Sequence, residues 1–266
     1  HADTTATSTG EVVLKPRDLF FSRTDARGVI AEGNSTFQRI SGYQWEELKG
    51  APHKIVRHDD MPKGVFWLFW NRLKAGKRVV AYVKNRTKQG RPYWVLALAW
   101  PIDEGYLSVR LMPGSRLFDD VKAVYESLLD AETSENLDPE ASAARLVKAL
   151  RVHGFRSYDS FMATALSTEL AQRAETLGAG VPERMRRFIE NRKTIDAVLE
   201  EADRMAEFIK EIRSVPINMR IAASRMENAG GPISAISVNY SQMLDEMAPW
   251  VRDFISRDAC ALARIV

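Results

Sequence analysis

Apolar positions in the first 112 residues fall in short runs separated by turn chemistry; further on they recur every three to four residues over long stretches. Leu19 to Thr24 and Val29 to Ala31 are short β-type runs. Asp25-Ala26-Arg27-Gly28 between them is turn chemistry, so the pair predicts a hairpin. Asn34 or Ser35 can cap a short helix carrying Phe37 and Ile40, which stops at Ser41-Gly42. Gln44 to Leu48 gives one more helical turn, closed by Gly50. Asp59-Asp60-Met61-Pro62 is another start signal, and cap duty is expected of at least one of these carboxylates. The helix that follows carries Val65, Phe66, Leu68, Phe69 and Trp70 and ends near Lys74-Ala75-Gly76. Val79 to Val83, Tyr93 to Trp100 and Tyr106 to Met112 are three further strands. Tight turns at Lys88-Gln89-Gly90 and Asp103-Glu104-Gly105 make them antiparallel neighbours. The second is long and nearly all apolar, so it is expected at the centre of its sheet.

After Met112-Pro113-Gly114-Ser115 the period changes from two to about 3.6. Leu117, Val121, Val124, Tyr125 and Leu128 share one helical face. Asp138-Pro139 starts a helix with Leu146, Val147 and Leu150, ending at His153-Gly154. Ser157 or Asp159 caps another, over Phe161, Met162, Leu166 and Leu170. Pro182 opens the longest helix, from Met185 to Ile212, with an apolar stripe wide enough for more than one neighbour. Arg192 interrupts that stripe, which favours a bundle over a two-stranded coiled coil. Pro216 should kink or break it. Gly230-Gly231-Pro232 is expected to reverse the chain into an antiparallel hairpin. The fold class is therefore α+β: strands and short helices over residues 17–113, then an all-α bundle over 114–266. Residues 1–16 are expected to be a disordered or non-native N-terminus.

Composition narrows the function classes. The chain carries 38 basic and 35 acidic side chains, for a net charge of +3. That near-balance offers no electrostatic case for nucleic acid. No apolar run is long enough for a membrane span, and Cys260 is the single cysteine, so no intramolecular disulfide can form. A cytoplasmic location is expected. No nucleophile–base–orienter set is legible, and four scattered histidines make no metal motif, so an enzyme is not expected.

The order strand, strand, short helices, three strands resembles a PAS domain: a five-stranded antiparallel sheet with short helices over one face. Asn34-Ser35-Thr36-Phe37, Ser41-Gly42-Tyr43 and Glu46 to Gly50 match the usual PAS opening. Pro52-His53, Val56-Arg57-His58, Asp60-Met61-Pro62, Trp70, Leu73 to Gly76, Val83 to Arg86, Gly90 and Tyr93-Trp94-Val95 are similar to the PAS domain of bacterial aerotaxis receptors. The resemblance covers roughly residues 17 to 113. It implies non-covalently bound FAD, with Arg57, His58, Asp60, Trp70 and Asn85 at matching positions and Asn34 as a further candidate. Arg can hold a phosphate through two parallel hydrogen bonds, and Asn can match the donor–acceptor edge of a flavin ring. Trp67, Phe69, Trp70, Tyr93, Trp94 and Trp100 are available as pocket walls, although plain core packing would also account for them. Haem b is the alternative cofactor, with His58 or His53 as axial ligand. A cofactor-free dimerisation or docking module is the other reading. Residues 218–237 are similar to the hairpin tip of chemoreceptor signalling domains but lack its Arg-Ala-Gly-Glu and Gly-Arg-Gly-Phe elements. That likeness implies a chemotaxis kinase or coupling protein as partner, and the bundle's broad apolar stripe suggests a homodimer. The expected function is a redox or oxygen sensor that relays the cofactor's state to the helices.

Overall fold

The computed structural model describes residues 10–12, 14–225 and 230–255. The chain forms two compact units, one ending at Met185 and one beginning at Arg186.

The first unit is built on a five-stranded sheet. Its strands are β1 (Leu19–Thr24), β2 (Ile30–Gly33), β3 (Val79–Arg86), β4 (Pro92–Ile102) and β5 (Gly105–Leu111). They lie in the order β2-β1-β5-β4-β3, with every pair antiparallel. Between β2 and β3 come α1 (Ser35–Ser41), α2 (Trp45–Leu48), a 3-10 turn (His53–Val56) and α3 (Lys63–Lys74). The expected order of strands and helices along the chain is present; the apolar strand β4, expected at the centre, lies second from the edge, and β5 is central. Residues 1–9 lie outside the described residues, but Val12 and Leu14 correct the expectation for 1–16. Both are buried, and the Val12 N–H donates to the Pro92 carbonyl at 2.9 Å.

Alternation divides the sheet into two buried faces. One carries Ser22, Asn85, Ala97, Ala99, Ser108 and Arg110. The other carries Tyr82 and Trp94 and is covered by helices that the sequence places in the separate output region. These are α4 (Arg116–Ser134), α5 (Pro139–Val152) and α6 (Tyr158–Thr176). Phe118 of α4 stacks on Tyr82 at 5.4 Å and meets Trp94 edge-on at 5.3 Å. Phe161 of α6 approaches Tyr82 at 6.3 Å. Because β3 is an edge strand, half its backbone would be left without partners. Side chains take that place: the Tyr158 hydroxyl donates to the Val80 carbonyl at 3.0 Å, and the Tyr125 hydroxyl donates to that of Tyr82 at 3.2 Å. The thioether of Met162 accepts from the Val80 N–H at 3.1 Å. Helices α4 to α6 thus pack in the same core as the sheet.

In the second unit, α7 (Glu183–Ile212), α8 (Ser214–Ala223) and α9 (Gly230–Ile255) are the described helices. The break between α7 and α8 falls just before Pro216, which occupies the first turn of α8, where a missing N–H costs nothing. Arg192, expected to spoil the apolar stripe, is buried and turns to Asp196 one turn on at 2.7 Å. Ile209, Leu244 and Val251 form a small core. Arg213 pairs with Asp245 at 3.0 Å, and Gly230 lies against the Ala223 carbonyl, so α8 and α9 run antiparallel. The reversal is not at 230–232 as expected: Gly230, Gly231 and Pro232 already belong to α9. Helix α8 ends at Ala223; residues 226–229 lie outside the described residues, as does Cys260.

Candidate functional site

The loop between α2 and α3 runs beside the edge of β3 as a partial sixth strand. Arg57 forms an isolated antiparallel bridge with Asn85, and the His58 N–H donates to the Lys84 carbonyl at 3.3 Å. The Met61 thioether accepts from the Lys84 N–H at 3.2 Å. Two ion pairs fasten the loop outside: Asp60 to Lys84 at 2.9 Å and Asp59 to Arg86 at 2.7 Å. Neither aspartate caps α3, contrary to expectation. That task falls to Glu132 of α4, whose carboxylate accepts from the Gly64 N–H at 3.2 Å and from the Ser142 hydroxyl at 2.5 Å. A start signal in the sequence names residues near a helix end; here the partner comes from another helix.

Behind this loop lies a cavity of about 300 Å³. Its floor is the sheet, where Ala97 and Ala99 leave flat space and Asn85, Ser108, Ser22 and Arg110 supply polar groups. Phe66, Phe69, Trp70 and Leu73, at i, i+3, i+4 and i+7 on α3, make one wall. Pro52, His53, Lys54 and Arg57 make another, and Thr24, Arg27, Gly28, Val83 and Tyr106 complete the lining. Trp70 meets Tyr106 edge-on at 5.5 Å and lies over Gly28. A Cβ at Gly28 would come 2.9 Å from the indole, and its φ of +80° is one that side chains rarely adopt.

Of the expected contacts, Arg57, Trp70 and Asn85 line the cavity; His58, Asp60 and Asn34 do not. The Arg57 guanidinium lies 3.7 Å from the centroid of the Phe66 ring, and burial lowers its pKa. His58 accepts from the Asp60 N–H at 3.1 Å; burial, then the charge of Lys84, lowers its pKa. The Lys84 ammonium, by its hydrogen bond, holds the Asp60 carboxyl below its usual range. Asn34 is the N-cap of α1. Its side chain accepts from the N–H groups of Phe37 at 3.1 Å and Phe21 at 3.2 Å, and donates to the Leu19 carbonyl at 2.8 Å. Asn34→Ala should therefore cost about 1–2 kcal/mol of stability. Chemical denaturation checks this, and a variant as stable as the parent contradicts the capping role.

Among the other expected wall residues, Phe69 contributes but Trp67 does not line the cavity, and Trp94 packs against Phe118 on the opposite face of the sheet. Tyr93 pairs across the sheet with Asn85. Its hydroxyl is buried without a hydrogen-bond partner among the described residues, and burial pushes its pKa up. Arg110 was not expected, although its signal was present: Tyr106, Ser108 and Arg110 alternate on β5, a polar set facing inward from an otherwise apolar sheet. Among the described residues no group of three or more His, Cys, Asp or Glu side chains could hold a metal ion, and no helix is long and apolar enough to cross a membrane.

A cavity of this volume stands at the lower end of the roughly 300–1,000 Å³ usual for ligand sites. The sheet supplies its amide, hydroxyl and guanidinium groups and α3 its aromatic wall; the cations Arg27, Lys54 and Arg57 also line it.

A family model described as PAS fold matches residues 30–110. The aerotaxis receptor of Escherichia coli K12 is 40% identical over 121 residues, covering 44% of this chain and 24% of that protein. The biofilm dispersion protein BdlA of Pseudomonas aeruginosa PAO1 is 26% identical over 142 residues, covering 53% of this chain and 33% of that protein. The chain thus spans between a quarter and a third of the length of these relatives. The light-state structure of the blue-light photoreceptor Aureochrome1 LOV aligns with a TM-score of 0.35 at 17% identity, over 40% of this chain and 90% of that one. The sheet and the helices over its cavity face agree with the family model: the segment holding the site, residues 30–110, has the PAS fold and is similar to the aerotaxis receptor.

Proposed function

We propose that the PAS segment binds FAD non-covalently and that the chain is a redox sensor in signal transduction. The observation that carries this is the cavity floor: Asn85, 4% exposed, lies on the same face of the sheet as Ala97 and Ala99, whose small side chains leave room for a flat ring. Bound FAD would supply a ring whose charge and protonation depend on its redox state. Asn85 would hydrogen-bond the ring edge, Trp70 and Phe66 would enclose its faces, and Arg57 with Lys54 and Arg27 would bind the phosphates. His58, Asp60 and Asn34 act one step back: the first two hold the loop that carries Arg57, and Asn34 ties α1 to β1. Reorientation of the Asn85 amide would be felt along β3 by α4 and α6, which pack on it. Similarity to the aerotaxis receptor supports output to a chemotaxis kinase or its coupling protein. A homodimer is supported by the apolar side chains that α7 to α9 leave exposed, among them Phe208, Ile236 and Trp250. Haem is less well supported. The Nε2 of His53 accepts a hydrogen bond from Arg110 at 2.9 Å, and His58 stands outside the cavity.

The visible spectrum of the purified protein tests this reading. Flavin bands are expected, or their appearance on reconstitution with FAD. Asn85→Ala should weaken FAD binding about tenfold, the loss of one buried hydrogen bond, without lowering Tm by more than a few degrees. A colourless protein that FAD cannot reconstitute would overturn the proposal.

A further inference from the structure

Arg110 is a buried cation on the cavity floor that no carboxylate neutralises among the described residues. It is 6% exposed. Its cross-strand neighbours are Phe20 on β1 and Ala97 on β4, neither of which carries charge. Its two hydrogen bonds go to neutral groups: Nη1 donates to the Ser22 hydroxyl and Nη2 to Nε2 of His53, each at 2.9 Å. A guanidinium only donates, so Nε2 is the acceptor and the His53 proton sits on Nδ1. Burial first, and then the Arg110 charge, holds the His53 pKa well below its usual value, so that ring stays neutral. Tyr93, the other titratable group acting on Arg110, is also kept neutral by burial. Burial brings the guanidinium down to about 10, which leaves it charged at neutral pH.

An unpaired buried charge is costly, and proteins relieve it by neutralising or pairing the group. Arg110 is neither, while two of its five N–H donors are committed and the side chain lines the cavity. The missing partner is therefore sought in the ligand.

We propose that Arg110 is the counter-cation for negative charge on the cavity's ligand, and so favours the reduced over the oxidised ring. This rests on the flavin reading above. An oxidised flavin that takes two electrons and one proton from a reductant carries one negative charge more, and a fixed cation beside it stabilises that form selectively.

The test is the ratio of dissociation constants for oxidised FAD and for dithionite-reduced FAD, measured by titrating the apoprotein. This ratio is defined even for a variant that releases FAD on purification. Arg110→Gln should lower the preference for the reduced form tenfold or more, equivalent to about 30 mV for a two-electron couple. Arg110→Lys, which keeps the charge, should stay within threefold of the parent. If Arg110→Gln does not fold, Ser22→Ala, which removes one support of the guanidinium, should show a smaller shift in the same direction. A parent that binds both forms, with an unchanged ratio in Arg110→Gln or, failing that, in Ser22→Ala, overturns this inference alone. A parent that binds neither form overturns the flavin proposal with it.

Discussion

Glu169→Ala is expected to destabilise the first unit by about 3–5 kcal/mol, because it strips the acceptor from several buried donors at once. Glu169 is on α6 and is 1% exposed. Its carboxylate accepts from the Tyr82 hydroxyl at 2.9 Å, the Gly114 N–H at 2.7 Å, the Ser115 N–H at 3.2 Å and the Ser115 hydroxyl at 2.6 Å. One side chain thus joins the outer face of β3, the turn after β5 and the start of α4. Ser115 is the N-cap of α4 but makes no capping hydrogen bond with its own side chain; Glu169 brings negative charge to that end of the helix instead. For a unit of this size the loss corresponds to a Tm decrease of about 6–20 °C. Five of the six tryptophans lie before residue 186, so intrinsic fluorescence reports mainly on this unit. Glu169→Gln should fall between parent and alanine variant, since one amide oxygen still accepts while its NH₂ faces other donors. In a double-mutant cycle with Tyr82→Phe, a coupling of about 1 kcal/mol or more is expected. A cost below 1 kcal/mol for Glu169→Ala would mean that packing alone holds α6 to the sheet.

The contrast between Glu169 and Asn85 shows what the sequence could reveal. The strands, α1 with its Asn34 cap and the long helix from residue 183 were legible because their signals are local: alternation, turn residues, cap chemistry. Arg57, Trp70 and Asn85 were reached through a motif whose parts meet only because the 57–61 loop pairs with β3. His58 and Asp60 belong to the same motif yet point away. A run of residues fixes a loop's path, while alternation along that path decides which side chains enter the cavity. Glu169 and Glu132 carried no local mark at all. Each sits in an amphipathic helix where a carboxylate reads as solvent-facing, and each is buried because another helix's N–H groups await it. The two-sided covering of the sheet did leave a trace. Val79 to Val83 is apolar at every position, which predicts burial on both faces rather than one. Read that way, the helices after residue 114 would have been expected against the sheet.

Gly64→Ala should have an effect of similar size for a different reason. Gly64 is in the first turn of α3, where alanine would ordinarily be the better helix former. Here a Cβ would fall inside van der Waals contact of the backbone of Ser142 and Ala143, at the start of α5. Overlap with backbone cannot be relieved by a rotamer change, so α3 and α5 must separate. Separation would also stretch the Gly64 N–H bond to Glu132 and the 2.5 Å contact between Glu132 and Ser142. About 3 kcal/mol of lost stability is expected, or a Tm decrease of about 6–12 °C. The second consequence concerns the ligand. The other face of α3 carries Phe66, Phe69 and Trp70 into the cavity, so a displaced α3 should weaken the proposed FAD binding although Gly64 itself does not line the site. Ser142→Ala gives the control: it removes a hydrogen bond from Glu132 but leaves the helices in contact, and should change FAD affinity less than threefold. If Gly64→Ala lowers Tm as expected while FAD affinity stays at the parent value, the α3 wall is held from the sheet side and not by α5.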